Sequence, residues 1–338
     1  MAPQSVPLID IELLGSGRAQ PQNMVTQIAA ACRTWGFFQI TGHGIPDELI
    51  SRVWRETKCF FALSATAKQA IERTKDNARG WYNRELTKTT RDMKEVFDFG
   101  YKPYPEHPDE DPSNRTRDGC NQWPDAKLCP DFRQTMWEYF QVCEHIALEL
   151  LEVVGEGLGV SSDCLARDFI DKHTSFLRLN YFPRHDPLLA DQQASAGGHL
   201  GIHHHSDAGA LTVLLQDSVG GLQMCLNDEW IPVEPVEGAL VINIGDMVQV
   251  WSNDRYRAPL HRVLASEGRE RYSLPFFYNP SYDADYAPLD ALTNEASPPK
   301  YRAINWGEFR WQRQQGDYAN YGQENQISDY RIPSSAGS

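Results

Sequence analysis

Apolar residues before Thr174 recur mostly at helical spacing, whereas after it they fall into short runs with a period of two. Pro7-Leu8-Ile9-Asp10-Ile11 alternates like a short strand. Gln22 to Trp35 reads as a helix, with Asn23 available to cap it and Val25, Ile28, Ala29 and Cys32 on one face. Phe37 to Ile40 reads as a strand closed by the turn Gly42-His43-Gly44-Ile45-Pro46. A helix follows from Asp47 to Phe61, and Ser64 caps a shorter one through Ile71. A long amphipathic helix begins near Asp131. Met136, Phe140, Cys143, Ala147, Leu150, Leu151 and Val154 form its stripe, and Gly155, Gly157 and Gly159 end it. The β-rich runs are Phe176–Tyr181, Leu200–His205, Leu211–Leu215, Leu222–Cys225, Trp230–Val233, Leu240–Ile244, Arg262–Leu264 and Tyr272–Tyr278. Such closely spaced short strands predict a sandwich or barrel. A last helical piece spans Trp306–Gln314.

Between Tyr101 and Pro130 neither period holds. Prolines at 103, 105, 108, 112, 124 and 130 mark a long surface excursion, too irregular for a core element. The chain has 338 residues, 41% of them hydrophobic, enough for a packed core over most of its length. Its 46 acidic and 32 basic residues leave a formal charge of −14, which argues against nucleic-acid and membrane-surface binding. No apolar run approaches the roughly 18 residues of a membrane span, and the N-terminus lacks the basic head and apolar body of a signal peptide. Seven cysteines without a CxxC pair read as reduced thiols. These features predict a cytoplasmic protein, a monomer or weak homodimer.

Two H-x-D triplets occur. His107-Pro108-Asp109 lies in the proline-rich excursion, where a solvated loop histidine is the plain reading. His205-Ser206-Asp207 ends a β run, and alternation places residues i and i+2 on one face, so imidazole and carboxylate can converge on one ion. His261 is the third candidate, 54 positions after Asp207 on a plausible return strand, although spacing alone also allows a core histidine there. Two imidazoles and a carboxylate suit non-haem Fe(II), which needs open positions for a chelator and oxygen. His203 shares the alternation of His205 but lacks the following carboxylate, and reads as pocket-lining or surface. Ten residues past His261, Arg271 and Ser273 share one side of a strand and can clamp a carboxylate.

These residues resemble the isopenicillin-N-synthase-like branch of the iron(II)/2-oxoglutarate-dependent dioxygenases. Ala31 to Ile40 and Gly42 to Pro46 resemble the family's N-terminal signature. His205 to Asp217, HSDAGALTVLLQD, resembles its metal strand, and Arg271-Tyr272-Ser273 its RxS anchor. Asn243-Ile244-Gly245-Asp246-Met247 and Trp251-Ser252-Asn253 precede the distal histidine as they do in the family. The similarity runs from Pro7 to about Ile332.

The resemblance implies a mainly β fold with helical wrapping: a double-stranded β-helix (jelly-roll) core with an N-terminal α/β region. Residues 1–125 would form the helical and mixed region, and 126–338 the core with its long supporting helix and C-terminal helix, as one structural unit. It assigns His205, Asp207 and His261 to Fe(II), and Arg271 and Ser273 to the far carboxylate of 2-oxoglutarate. Asn180 joins them from Asn180-Tyr181-Phe182-Pro183, where Phe182 replaces a tyrosine whose hydroxyl usually reaches the co-substrate. The implied activity couples 2-oxoglutarate decarboxylation and O2 activation to hydroxylation, desaturation or ring closure of a small molecule: an amino acid, a peptide or a specialised metabolite. An oxidase like isopenicillin N synthase, independent of 2-oxoglutarate, is the alternative. A zinc hydrolase would leave the anion clamp without purpose, and a non-catalytic binding protein would not need the triad. Within Arg79 to Arg84, Tyr82 and Arg84 are candidates to meet the substrate, and Phe277 to wall its cavity. Thr90 and Asp92 carry no signal.

Overall fold

In the computed structural model, which describes residues 5–15, 20–87, 90–161, 163–170, 172–185, 200–264, 268–319 and 325–333, the alternating runs become two sheets. The N-terminal part contributes β1 (Leu8–Asp10), α1 (Gln22–Thr34), β2 (Phe37–Thr41), α2 (Asp47–Phe61) and α3 (Ala65–Gln69). Next come β3 (Gly80–Tyr82), the short pair β4 (Leu86–Thr87) and β5 (Thr90–Arg91), and β6 (Glu95–Gly100). After α4 (Phe132–Leu158) and α5 (Asp163–Ala166) the chain runs through β7 (Phe176–Phe182), β8 (Leu200–His205) and β9 (Leu211–Gln216). There follow β10 (Leu222–Leu226), β11 (Glu229–Pro232), β12 (Leu240–Ile244), α6 (Asp246–Trp251), β13 (His261–Leu264) and β14 (Arg271–Tyr278). The pair β15 (Asp285–Tyr286) and β16 (Ile304–Asn305) leads into α7 (Trp306–Ala319).

The larger sheet has the order β1-β2-β12-β9-β14-β7-β6-β3, and the smaller one the order β11-β10-β13-β8. Side-chain alternation assigns its two faces. On β9, Leu211, Val213 and Leu215 join the main core, whereas Thr212 and Leu214 turn to an internal cavity. On β12, Leu240, Ile242 and Ile244 pack with that core, and Val241 and Asn243 turn inward. On β14 the inward set is Arg271, Ser273, Pro275 and Phe277. A second apolar cluster, including Phe37, Phe182, Leu214, Met224 and Val263, draws on both sheets. The fold is thus the jelly roll with helical wrapping that the resemblance implied.

The outer face of the larger sheet is covered by α4, whose stripe is buried along its length. Gly159 ends that helix with a left-handed φ of 79°, while Gly155 and Gly157, expected to end it, lie inside. A Cβ on Gly157 would stand 2.9 Å from that of Ala29, so its absence admits α1 against α4. Asn23 does not cap α1: Pro21 holds that position, with Asn23 in the first turn. Ser64 does cap α3, accepting from the Ala67 N–H at 3.2 Å.

Two strands of the larger sheet, β3 and β6, were not expected. The excursion from 101 to 130 is irregular, but it is not a mere surface loop. Asp109, Asn114 and Asp118 are buried in it, and the Asn114 side chain bonds the backbone of Tyr104 and Pro108. Among the described residues no helix is long and apolar enough to cross a membrane.

Candidate active site

His205 closes β8 and His261 opens β13, and the antiparallel register sets them opposite each other. Asp207 lies just beyond β8, so strand alternation is not what brings it to the imidazoles. A bend does this, held where the Asp207 carbonyl accepts from the Asp246 N–H at 2.7 Å. One potential ligand atom from each of the three lies within 4.8 Å of the other two. The Nε2 atoms of His205 and His261 stand 3.7 and 3.6 Å from Asp207 Oδ1.

The opposite edge of each side chain is occupied. His205 Nδ1 bonds the His203 carbonyl at 2.8 Å and His261 Nδ1 that of Pro259 at 3.2 Å. With the proton on Nδ1, each Nε2 presents a lone pair to the common point. Asp207 Oδ2 accepts from Thr212 Oγ1 at 2.5 Å and Asn243 Nδ2 at 2.8 Å, leaving Oδ1 to face the imidazoles. Burial, then His261, lowers His205 to about 3, so it is neutral. Burial raises Asp207, but the two imidazoles and both hydrogen bonds reverse this, so it stays ionised. Three hard-to-borderline donors on one face, with the rest of the sphere open, fit a six-coordinate divalent ion.

The cavity beside the triad continues to Arg271, Ser273 and Asn180. Arg271 is buried, and it donates to Ser273 Oγ at 3.1 Å and Gln216 Oε1 at 3.4 Å. Among the described residues its Nε has no acceptor, nor has Asn180 Oδ1 a donor. Burial lowers this arginine to about 10, only partly offset by Asp217. A buried guanidinium without a carboxylate of its own fits an anionic chelator whose far end reaches this depth. Phe182 backs this anchor: the guanidinium stands 4.9 Å over its ring.

The sequence comparisons agree with this geometry. Residues 6–126 match the family model for the N-terminal region of non-haem dioxygenases in morphine synthesis, and residues 173–280 that of the 2OG-Fe(II) oxygenase superfamily. Protein DMR6-LIKE OXYGENASE 2 of Arabidopsis thaliana is 35% identical over 311 residues, covering 90% of this chain and 82% of its own. The chain belongs to the 2OG-Fe(II) oxygenase superfamily.

The 2-oxoglutarate-Fe(II) type oxidoreductase hxnY of Emericella nidulans is likewise 35% identical, over 90% of this oxygenase and 88% of its own length. Among solved structures, JOX2 in complex with 2OG, Fe and JA superposes with a TM-score of 0.78 at 27% identity, over 98% of this chain and 90% of the other. A full-length Neurospora crassa protein in complex with alpha-KG and thymine gives 0.75 at 26%, over 91% and 96%. The protein is an oxidoreductase that uses Fe(II), 2-oxoglutarate and O2.

A second chamber of the oxygenase opens on His205 and Asp207, and Phe277 lies in its wall. Tyr82 and Arg84 are not among its lining residues; Arg84 is exposed and Tyr82 lies under the Arg73 guanidinium, 5.5 Å away. Their neighbours Arg79 and Glu85 line it instead. Sequence reasoning missed the buried charges here. Arg178 makes paired bonds to Glu85 and to Asp98, all at 2.8 Å, and Arg73 bonds the same two acids at 3.0 and 3.2 Å. Lys94 reaches Glu85 at 2.8 Å and Asp92 at 3.2 Å. Asp92, read as carrying no signal, is fully buried and holds His203 through Nδ1 at 3.1 Å. The usable signal was the density of charges around an apolar strand, Asp92, Lys94, Glu95 and Asp98 beside Val96, Phe97 and Phe99. His107 is half exposed, beside Ser113 in the excursion and apart from the triad.

Proposed function

We propose that His205, Asp207 and His261 hold the Fe(II), and that Arg271 and Ser273, with Asn180, anchor the far carboxylate of 2-oxoglutarate. The observation that carries this is the buried Arg271, which has an unpartnered Nε in the cavity shared with the three convergent ligand atoms. When bound, the iron and 2-oxoglutarate together supply an oxidant able to attack an unactivated C–H bond. The chain's own residues bind and orient. The carbonyls of His203 and Pro259 fix the imidazole tautomers, Thr212 and Asn243 aim the carboxylate, and Arg271 sets the depth of the chelator. Phe182 replaces a hydroxyl by a ring face against the guanidinium, so the anchor keeps three polar partners without that tyrosine.

The substrate is a small molecule that is hydroxylated, desaturated or cyclised, as in specialised metabolism. The chamber between the triad and α7 supports that size class. A cytoplasmic setting is supported by seven cysteines that are all free thiols. An anaerobic titration of the Fe(II)-loaded protein with 2-oxoglutarate tests the reading. The visible iron-to-keto-acid band is expected to saturate in the wild type and to need a much higher concentration in Arg271→Ala. Iron bound without any such band would overturn it.

A further inference from the structure

Six cationic side chains line the substrate chamber, and among the described residues five carboxylates outside the triad pair with them. Arg73, Lys94 and Arg178 divide Glu85, Asp98 and Asp92 among themselves, and Arg313 takes Asp246 at 2.9 Å. Among the described residues Arg79 and Arg310 share one carboxylate, that of Asp118. Arg310 meets Asp118 through Nε at 3.1 Å and Nη2 at 2.9 Å, whereas Arg79 reaches it only through Nη2, at 3.0 Å. Both guanidinium groups are sequestered, the Arg79 side chain being 4% exposed. A buried cation lacking its own counter-ion is costly, and a ligand that brings one relieves that cost.

The surroundings are shaped for this. Gly100 ends β6 where the Arg79 guanidinium lies flat on the backbone, and a Cβ there would come within 2.4 Å of it. Arg79 and Arg310 stand 5.4 and 5.0 Å over the ring of Phe176, which stacks on Phe277 at 4.6 Å. On its other side the Arg79–Asp118 pair borders a second pocket, lined also by Arg115, Arg117 and Lys172. In a chain of charge −14, that concentration of cations draws anions towards this site.

We propose that the substrate is a monocarboxylate with an apolar body, its carboxylate held by Arg79 opposite Asp118 and its carbon skeleton against Phe176 and Phe277. This deepens the oxygenase reading of the chamber and rests on it. One surplus guanidinium matches one negative charge; a phosphate monoester would bring about −1.5 to −2.

The test uses Fe(II)-loaded protein with 2-oxoglutarate under anaerobic conditions. Melting temperature and calorimetric affinity are measured with matched acids and amides: butyrate and butyramide, phenylacetate and phenylacetamide, cinnamate and cinnamamide. Acids are expected to bind at least about tenfold more tightly than their amides. Arg79→Gln brings that ratio towards one, and Arg79→Lys keeps part of it. Gly100→Ala, which displaces the guanidinium without removing its charge, lowers the ratio and serves if Arg79→Gln does not fold. Amides binding as well as acids, neither series binding, or a ratio unchanged in Arg79→Gln would overturn the proposal. The iron-to-keto-acid band, recorded on the same samples, separates the two readings. Its absence from the wild type removes the oxygenase assignment, while an intact band without acid preference removes only the carboxylate.

Discussion

Asn243 shows how one uncharged side chain can set the geometry of the candidate metal site. Its Nδ2 and the Thr212 hydroxyl both bind Asp207 Oδ2, so the carboxylate has a single orientation before any ion arrives. Removing such a partner typically weakens metal affinity by about 10- to 100-fold. Asn243→Ala is therefore expected to lower Fe(II) affinity in that range by competition with a chelating dye, with little change in the circular dichroism spectrum. Glu85 is the opposite case, a charge whose loss is felt by the whole fold. It is buried and shared by Arg73, Lys94 and Arg178. Glu85→Ala strands those cations and is expected to cost about 3–5 kcal/mol in urea denaturation, a value near zero showing that water reaches them. The three candidate metal ligands and Arg271 stood out in the sequence because their chemistry is rare outside such sites. Glu85 and Asp98 did not, since a lone acid looks the same whether it is solvated or meets Arg178, 93 and 80 positions away.

At the scale of elements, the triad depends on a junction between two turns. Gly245 joins β12 to α6, and its N–H bonds the Ala210 carbonyl at 2.8 Å. A Cβ there would lie 2.2 Å from the Gly209 carbonyl oxygen and 2.9 Å from that of Asp207. Backbone cannot yield as a side-chain tip can. Gly245→Ala should push the Asp207 bend outwards, lowering stability by about 1–3 kcal/mol and Fe(II) affinity with it. Unchanged melting and unchanged affinity would show that the bend is slack. Element positions were mostly readable from period: α2 spans the expected residues, as do β8 and β12. β6 was missed because Glu95-Val96-Phe97-Asp98-Phe99-Gly100 buries charged as well as apolar residues, so no alternation shows. The bend at Asp207 was missed because the pattern of strand residues continues visually past the last ladder bond.

For the whole molecule, acid stability is the quantity the buried network sets. Burial alone would raise Glu85 and Asp118, but the surrounding cations more than reverse it: Glu85 lies well below its usual 4.5, and Asp118 at about 2. Groups lowered in the folded state stabilise it above their unfolded values, and that contribution is lost as pH falls through the folded ones. Asp246, raised by burial, works in the other direction and offsets part of it. The metal-free protein, kept with a chelator, is expected to hold its melting temperature near neutrality and to lose it steeply between about pH 4.5 and 2. A flat profile through that window would mean these acids are not paired in solution.

Strands β1, β2, β3 and β6, all before residue 126, make up half of the larger sheet, so the N-terminal region completes the core sheet of 126–338. By itself the chain's sequence determined the class of fold, most element positions, the three candidate ligands and the candidate anion anchor. Those features follow from local periodicity and from residue types that chemistry seldom uses otherwise. Only the tertiary structure decided which charges are buried, that Arg79 and Arg310 share one carboxylate, and that Arg79 and not Arg84 faces the chamber. Burial and pairing are properties of residues far apart in the chain, and a linear pattern carries no record of the distances folding closes.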